Sequence, residues 1–478
     1  MSKRILFGCA LTLLVAAPAV AQTPPPAVQK LSTGKDRSEV SITIYNQNFG
    51  LVREVRDVDL AKGRVALEFR DVASQIQPET VSIKSLNGPW SVLEQNYRYD
   101  LLTPEKLLEK YVGKKVRVYR WNEKLGKEDA FDADVLAVNS GQPVLKINGE
   151  ITYHFPGRFA FPEVPPNLIA KPTLVWLADS GAPKQKLEVT YLTRGMGWKA
   201  DYVLTLDDKD QKADLTGWVT LTNGSGTSYE NAKLKLVAGD VQKLADHPGY
   251  YPASKSVYAA APTGGSAGFK EEGFFEYHLY TLQKPTDVLQ NEQKQVTLLE
   301  AQAIPIQKKL IFFGQQYYYR GSYGQVMSNQ KVGVYLDIEN KEANRLGMPM
   351  PKGVVRVYKA DKSGAKQFIG EDRIDHTPRD EKVRIKMGEA FDIVGDRKQM
   401  SWKPMGSCNS ESEWEISLRN HKDNDEMVEL YEPIGGDWEI ISSSHPHTKK
   451  DAHTFTFNVK VPKKGETKVK YRVHVRWC

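Results

Sequence analysis

Apolar side chains recur at every second position along most of this chain, and that period restricts it to sheets with one dry face each. Val40, Ile42 and Ile44 alternate with Glu39, Ser41 and Thr43, and Val65, Leu67 and Phe69 alternate with charged or small neighbours. The pattern returns in Leu187, Val189 and Tyr191, in Tyr202, Leu204 and Leu206, and in Trp414, Ile416 and Leu418. It closes the chain with Val469, Tyr471, Val473, Val475 and Trp477. Turn signals such as Asn87-Gly88-Pro89, Asn139-Ser140-Gly141 and Asn148-Gly149 punctuate the runs, as hairpin chemistry requires. The expected fold class is all-β and mainly antiparallel, organised as several β-sandwich modules with an immunoglobulin-like module at the C-terminus.

One helix interrupts the strands. Thr103 can cap it, Pro104 suits its first turn, and Leu107, Leu108 and Tyr111 share a face before Gly113, a complete start-and-stop signature. Four or five short strands follow within about 45 residues, a spacing that predicts a small barrel-like insertion. Glu292–Glu300 carries mixed strand and helix signals.

The N-terminus predicts export. Lys3 and Arg4 precede an apolar run from Ile5 to Ala17, followed by Ala19-Val20-Ala21. This is the arrangement of a secretory signal peptide, and the run is too short to span a bilayer. The expected map is a signal peptide over 1–21, a flexible leader over 22–37, an N-terminal β module over 38–100, and helix plus barrel-like module over 101–165. A central β-sandwich region over 166–400 carries a mobile loop at 247–273, rich in Gly, Ala, Ser and Pro, and the last module covers 401–478. No later stretch suggests a transmembrane span after processing. The expected location is the periplasm, with the outer surface as a second site.

The formal charge of +7 falls by two, to +5, once Lys3 and Arg4 are removed. Spread over so long a chain, that excess does not make a nucleic-acid footprint. It is compatible with an anionic envelope component as partner, or with another envelope protein. Only Cys408 and Cys478 remain after processing, and two cysteines in an oxidising compartment are expected to pair.

The candidate binding surface is the last strand. Lys468, Lys470, Arg472, His474 and Arg476 alternate with its apolar residues, so five basic or titratable groups share one face over about 27 Å. Such a stripe either docks an anionic glycan, lipid headgroup or protein edge, or is protective charge neutralised by a neighbouring strand. Other clusters have simpler readings. His445, His447 and His453 sit among Ser442-Ser443-Ser444 and Pro446, a loop context that favours solvated histidines over a metal site. Glu371, Asp372 and Asp375 beside His376 precede Thr377-Pro378, which marks a polar turn rather than acid–base machinery. Tyr317, Tyr318, Tyr319 and Tyr323 could form a sugar platform or pack an interface. Nucleophile-elbow, phosphate-loop and metalloprotease motifs do not occur in the sequence, so no cofactor is expected. The leading expectation is a non-enzymatic binding or scaffold protein; the alternative is a hydrolase acting on an envelope glycan or peptide.

A wider set of residues carries a family resemblance. Tyr191, Gly195, Gly197, Trp198 and Tyr202 are followed by Trp218, Asn223, Ser225 and Gly226, then by Leu234, Leu236, Val237, Ala238 and Gly239. Downstream stand Leu346-Gly347, Pro349, Pro351, Gly353, Arg356 and Tyr358, then Gly370-Glu371 and His376-Thr377-Pro378. Together these resemble the mucoidy-inhibitor-A-like family of bacterial envelope proteins, from about Thr173 onward. The resemblance implies an envelope location and a β-rich fold, and it brings no catalytic residues with it. Where better-known members place a long coiled coil, this chain has the segment Leu107–Phe161. Trp198, Tyr202 and Trp218 are expected to fill cores, and Gly195, Gly197 and Gly226 to occupy turns with positive φ.

Overall fold

The computed structural model describes residues 27–165, 168–243 and 268–478. The signal-peptide expectation and most of the 247–273 loop lie outside the described residues. Strands dominate, in four sheets that are mostly antiparallel. The single α-helix among the described residues is Pro104–Lys110, with the Thr103 hydroxyl accepting from Lys106 N. Glu292–Phe313 resolves its mixed signals as one continuous strand.

The chain divides into two compact units. The first comprises residues 1–38, 55–72 and 83–188. Its four-stranded sheet runs in the order Val28–Ser32, Gly63–Arg70, Thr173–Ser180, Trp90–Arg98. Trp176 and Phe69 are fully buried there, ring edge to ring face at 5.5 Å, and the Trp176 indole donates to Gln95 Oε1. The barrel-like insertion is an open five-stranded sheet instead of a closed barrel. Its edge strands, Glu150–Tyr153 and Arg158–Ala160, are four and three residues long and each pairs on one side only. Its core gathers Tyr111, Val116, Val118, Ala133, Val135 and Leu145.

The second unit comprises 39–54, 73–82 and 189–478. Trp198 and Tyr202 are buried as expected, whereas Trp218 is only half-buried. The Tyr202 and Tyr280 hydroxyls donate to the carbonyls of Pro351 and Pro349, fixing that proline segment from two strands. Gly195 and Gly226 have positive φ. Gly197 does not share it and lies inside the strand Met196–Leu206.

The C-terminal part of this unit is a two-layered sandwich. One layer runs Lys382–Pro404, Asn409–Asn420, Gly465–Arg476, Asp437–Ser443. The other runs Glu292–Phe313, Glu426–Pro433, Thr454–Val461, His447–Asp451. The sandwich therefore draws one whole strand, Glu292–Phe313, and most of another, Lys382–Pro404, from sequence upstream of residue 401. Their inner faces merge into one apolar cluster that includes Leu310, Trp414, Ile416, Leu430, Phe455, Phe457, Val459 and Val473.

Inside that cluster sits an ion pair with no exposure at either side chain. Arg397 Nη1 and Nη2 donate to Glu432 Oε2 and Oε1 at 2.6 and 2.7 Å. The Tyr319 hydroxyl donates to Glu432 Oε2 at 2.9 Å, and the Tyr471 hydroxyl lies 2.8 Å from that of Tyr319. Phe312 and Tyr318 rings flank the guanidinium at 5.5 and 5.4 Å. Burial, then the Glu432 charge, raises the pKa of both tyrosines well above the ordinary value, so both remain hydroxyl donors. Removing one partner strands a charge in the core. Glu432→Leu or Arg397→Met alone is expected to cost about 3–5 kcal/mol, and the double replacement markedly less than the sum. Urea unfolding of the three variants measures this, and additive losses would contradict it.

Candidate functional site

The basic face of Gly465–Arg476 lies inside a layer, not at its edge. It pairs with Asn409–Asn420 on one side and Asp437–Ser443 on the other. The register sets Glu415 opposite Lys470, Glu413 opposite Arg472 and Glu411 opposite His474. Lys470 and Lys468 reach Glu415 at 3.0 and 3.8 Å, Arg472 pairs with Glu411, and Arg476 pairs with Asp437 at 3.0 Å. The Lys470 hydrogen bond holds the Glu415 carboxyl below the usual carboxylate range. Beyond Asn409–Asn420, Lys398 and Lys403 stand opposite Glu415 and Glu411. The surface is a ladder of alternating sign, strand by strand, and an anionic ligand on the last strand must displace carboxylates already in place.

Cys408 and Cys478 are joined by a disulfide, with Cα atoms 5.7 Å apart. Trp477 N donates to Cys408 O beside the bridge, so the chain terminus is tied to the entry of Asn409–Asn420.

The tyrosine run divides between core and surface. Tyr318 and Tyr319 are buried against Trp414. Tyr317 and Tyr323 are exposed, edge to face at 6.0 Å. Of the loop histidines, His447 begins an edge strand and faces the rings of Phe455 and Phe457. Among the described residues no group of three or more His, Cys, Asp or Glu is arranged to hold a metal ion.

The acidic group near His376 is occupied locally. Glu371 pairs with Arg356 at 3.2 Å, and Asp372 accepts from Lys386 N and Arg373 N. His376 closes the turn: its Nδ1 accepts from Lys352 N at 3.2 Å, while Nε2 is buried with no partner among the described residues. Paired backbone bonds between Met350 and Thr377 hold the same junction. Burial lowers the His376 pKa first, and the Lys352 charge adds to that; Asp240 and Asp375 oppose it. Nearby, Glu271 accepts from His278 Nδ1 at 2.8 Å in one tautomer, and Lys352 Nζ reaches Asp240 at 3.2 Å.

One surface had no separate signal in the sequence. Phe313 lies 5.0 Å from Tyr431 and 6.0 Å from Tyr335, ring centre to ring centre. The Tyr335 ring rests over Gly333, where a Cβ would meet it at 2.8 Å. Lys450 sits over Tyr431 at 4.5 Å and Arg384 over Tyr335 at 5.9 Å. Lys386 is the cross-strand neighbour of Tyr335, and Asp337 that of Arg384. Asp337 takes two hydrogen bonds from Arg384 at 2.7 and 2.8 Å. Burial raises its pKa, but the Arg384 hydrogen bond and charge, with Lys309 and Lys382, outweigh that and hold it low. The rings come from three separate strands, at positions 313, 335 and 431, so only folding brings them together. A second feature, a shallow cavity of about 420 Å³, is lined by polar groups including Thr205, Asp214, Thr216, Glu300 and Lys366. The Asp214 carboxylate there is engaged by Ala303 N.

With this geometry in view, comparison by sequence places residues 187–478 in the family described as Domain of unknown function (DUF4139). The chain belongs to this family. No curated protein matches it. The matched region of the DUF4139 chain contains the sandwich, the buried ion pair, the disulfide and the aromatic face. No helix among its described residues is long and apolar enough to cross a membrane.

The His376 geometry predicts a pH dependence. Its folded pKa lies below the ordinary histidine value, so the unfolded chain binds the proton more readily, and the group's contribution is lost as pH falls below about 6.5. Thermal unfolding at pH 7.5 and 5.0 should show a drop in Tm that His376→Asn, which keeps an acceptor for Lys352 N, makes smaller. An identical drop in the variant would remove His376 from the explanation.

Proposed function

We propose that this protein is exported to the bacterial periplasm and acts there as a binding or scaffold module of the envelope, related in role to the mucoidy-inhibitor-A-like proteins its motifs resemble. The observation that carries the binding role is the outer aromatic face of Phe313, Tyr335 and Tyr431. Three partly exposed rings set at angles to one another, with Lys450 over Tyr431 and Lys386 beside Tyr335, offer a partner apolar contact together with cations that fix its orientation. Neither lysine has an ion-pair partner among the described residues, and Lys450 is held only by its contact with the Tyr431 ring, so both charges are open to an anionic group of a partner. A paired Cys408 and Cys478 supports export, because cytosolic thiols are kept reduced. The signal-peptide-like leader supports the same location.

Osmotic-shock fractionation of cells carrying the native chain tests the location, with free thiols alkylated before any reduction. The protein is expected in the periplasmic fraction with Cys408 and Cys478 unmodified. Recovery only in the cytosol with both thiols alkylated refutes export. For the binding role, Tyr335→Ala with Tyr431→Ala should lower co-sedimentation of the mature protein with isolated envelopes by about tenfold, the effect of losing roughly one good aromatic contact. Unchanged sedimentation would remove the face from consideration.

A further inference from the structure

Among the described residues, the backbone is most at odds with its sequence at one exposed hairpin. The strands Phe269–Phe274 and Tyr277–Leu282 pair antiparallel, with Phe274 opposite Tyr277, so Phe275-Glu276 is a two-residue turn. Phe275 has φ of 57°. A two-residue hairpin turn puts positive φ on its first central residue, and Gly, Asn or Asp normally sits there because a Cβ is costly. Most other positive-φ residues besides glycine in the described chain are indeed Asn, Asp or Ser. A phenylalanine at such a place requires compensation, and packing does not supply it. Phe275 is 82% exposed and the adjacent Phe274 is 56% exposed. The fold thus accepts a strained turn that holds a large apolar ring in water. Local strain without a packing return points to function.

The chemistry of the tip selects its partner. Phe275 and Glu276 form the tip itself, and the exposed Phe274 and half-buried Tyr277 face each other one step behind, with the Tyr277 ring 6.0 Å from that of Phe275. Two exposed apolar rings beside an amphipathic one, with carboxylates able to stay in the wet headgroup layer, suit a membrane–water interface. The flanking Glu272 and Glu276 are exposed, which disfavours a strongly anionic surface. We propose that the 269–282 hairpin is a membrane-contacting finger that inserts Phe274 and Phe275 into the interface of a zwitterionic bilayer and holds the chain peripherally and reversibly. Two rings bring modest binding, well short of permanent anchoring.

The test is flotation of the full mature chain with phosphatidylcholine vesicles at about 0.15 M salt, near physiological ionic strength. It does not depend on the cellular compartment, so its failure is separate from failure of the export reading. The native chain should co-float. Phe275→Asn should lower the partition coefficient about tenfold, and Phe274→Ser with Phe275→Asn about a hundredfold. Phe275→Asn should also raise Tm by a few degrees, since Asn accepts this φ with less strain. A ring that served packing would give the opposite sign. Phe275→Trp should keep binding and shift its emission to the blue on vesicles. The proposal is overturned if Phe275→Asn floats like the native chain, if it lowers Tm together with binding, or if binding appears only on vesicles containing phosphatidylglycerol.

Discussion

The C-terminal sandwich depends on the pairing of Arg397 with Glu432 across its interior. Arg397 comes from a strand of one layer and Glu432 from a strand of the other, while Tyr471 and Tyr319 add donors from the last strand and the short 3-10 turn at 316–320. A bidentate guanidinium–carboxylate pair has one good geometry. An apolar interface of similar area would tolerate sliding by a residue pair; this one does not, because any slip leaves two charges unpaired in a low dielectric. The surrounding apolar cluster supplies most of the driving force, and the polar centre fixes which arrangement of the layers is reached. Trp414, Tyr318 and Phe312 then pack around a fixed point.

The outside of the same sandwich obeys a different rule. There the charges are solvated, so each pair contributes little, yet their register is systematic. Lysines, glutamates, basic residues and acids follow one another from strand to strand across four strands. Like charges placed opposite would repel, so the ladder favours the observed neighbours over shifted ones. Charge on this surface records the strand order more than it advertises a ligand. The aromatic face around Tyr335 lacks that completeness, and for that reason it is the better place to seek a partner.

Much of the architecture was legible because period-two alternation is a local signal. The last strand, the helix with its Thr103 cap and the all-β class all follow from residues close together in the chain. What escaped was whatever depends on partners far away. Glu411, Glu413 and Glu415 stand 63, 59 and 55 residues before His474, Arg472 and Lys470, the groups they face, and nothing in the local sequence names the neighbour. Tyr317 to Tyr323 looked uniform, yet a 3-10 turn sends Tyr318 and Tyr319 inward and leaves Tyr317 outside. Phe313, Tyr335 and Tyr431 meet only through sheet topology. Trp218 had the composition of a core residue, but it faces the half-open side of its strand.

The position of the last strand has a consequence for how the protein is made. Gly465–Arg476 lies between two other strands of its layer and ends two residues before the disulfide-bonded Cys478. Until residues 465–478 are made, Asp437–Ser443 has no strand partner, Glu432 lacks its Tyr471 donor and Cys408 has no sulfur to join. The sandwich therefore closes only once that strand has been made. A sandwich built this way stays open while the strands before residue 465 are made, and the Cys408–Cys478 bridge then ties the strand that closes it to the start of its neighbour.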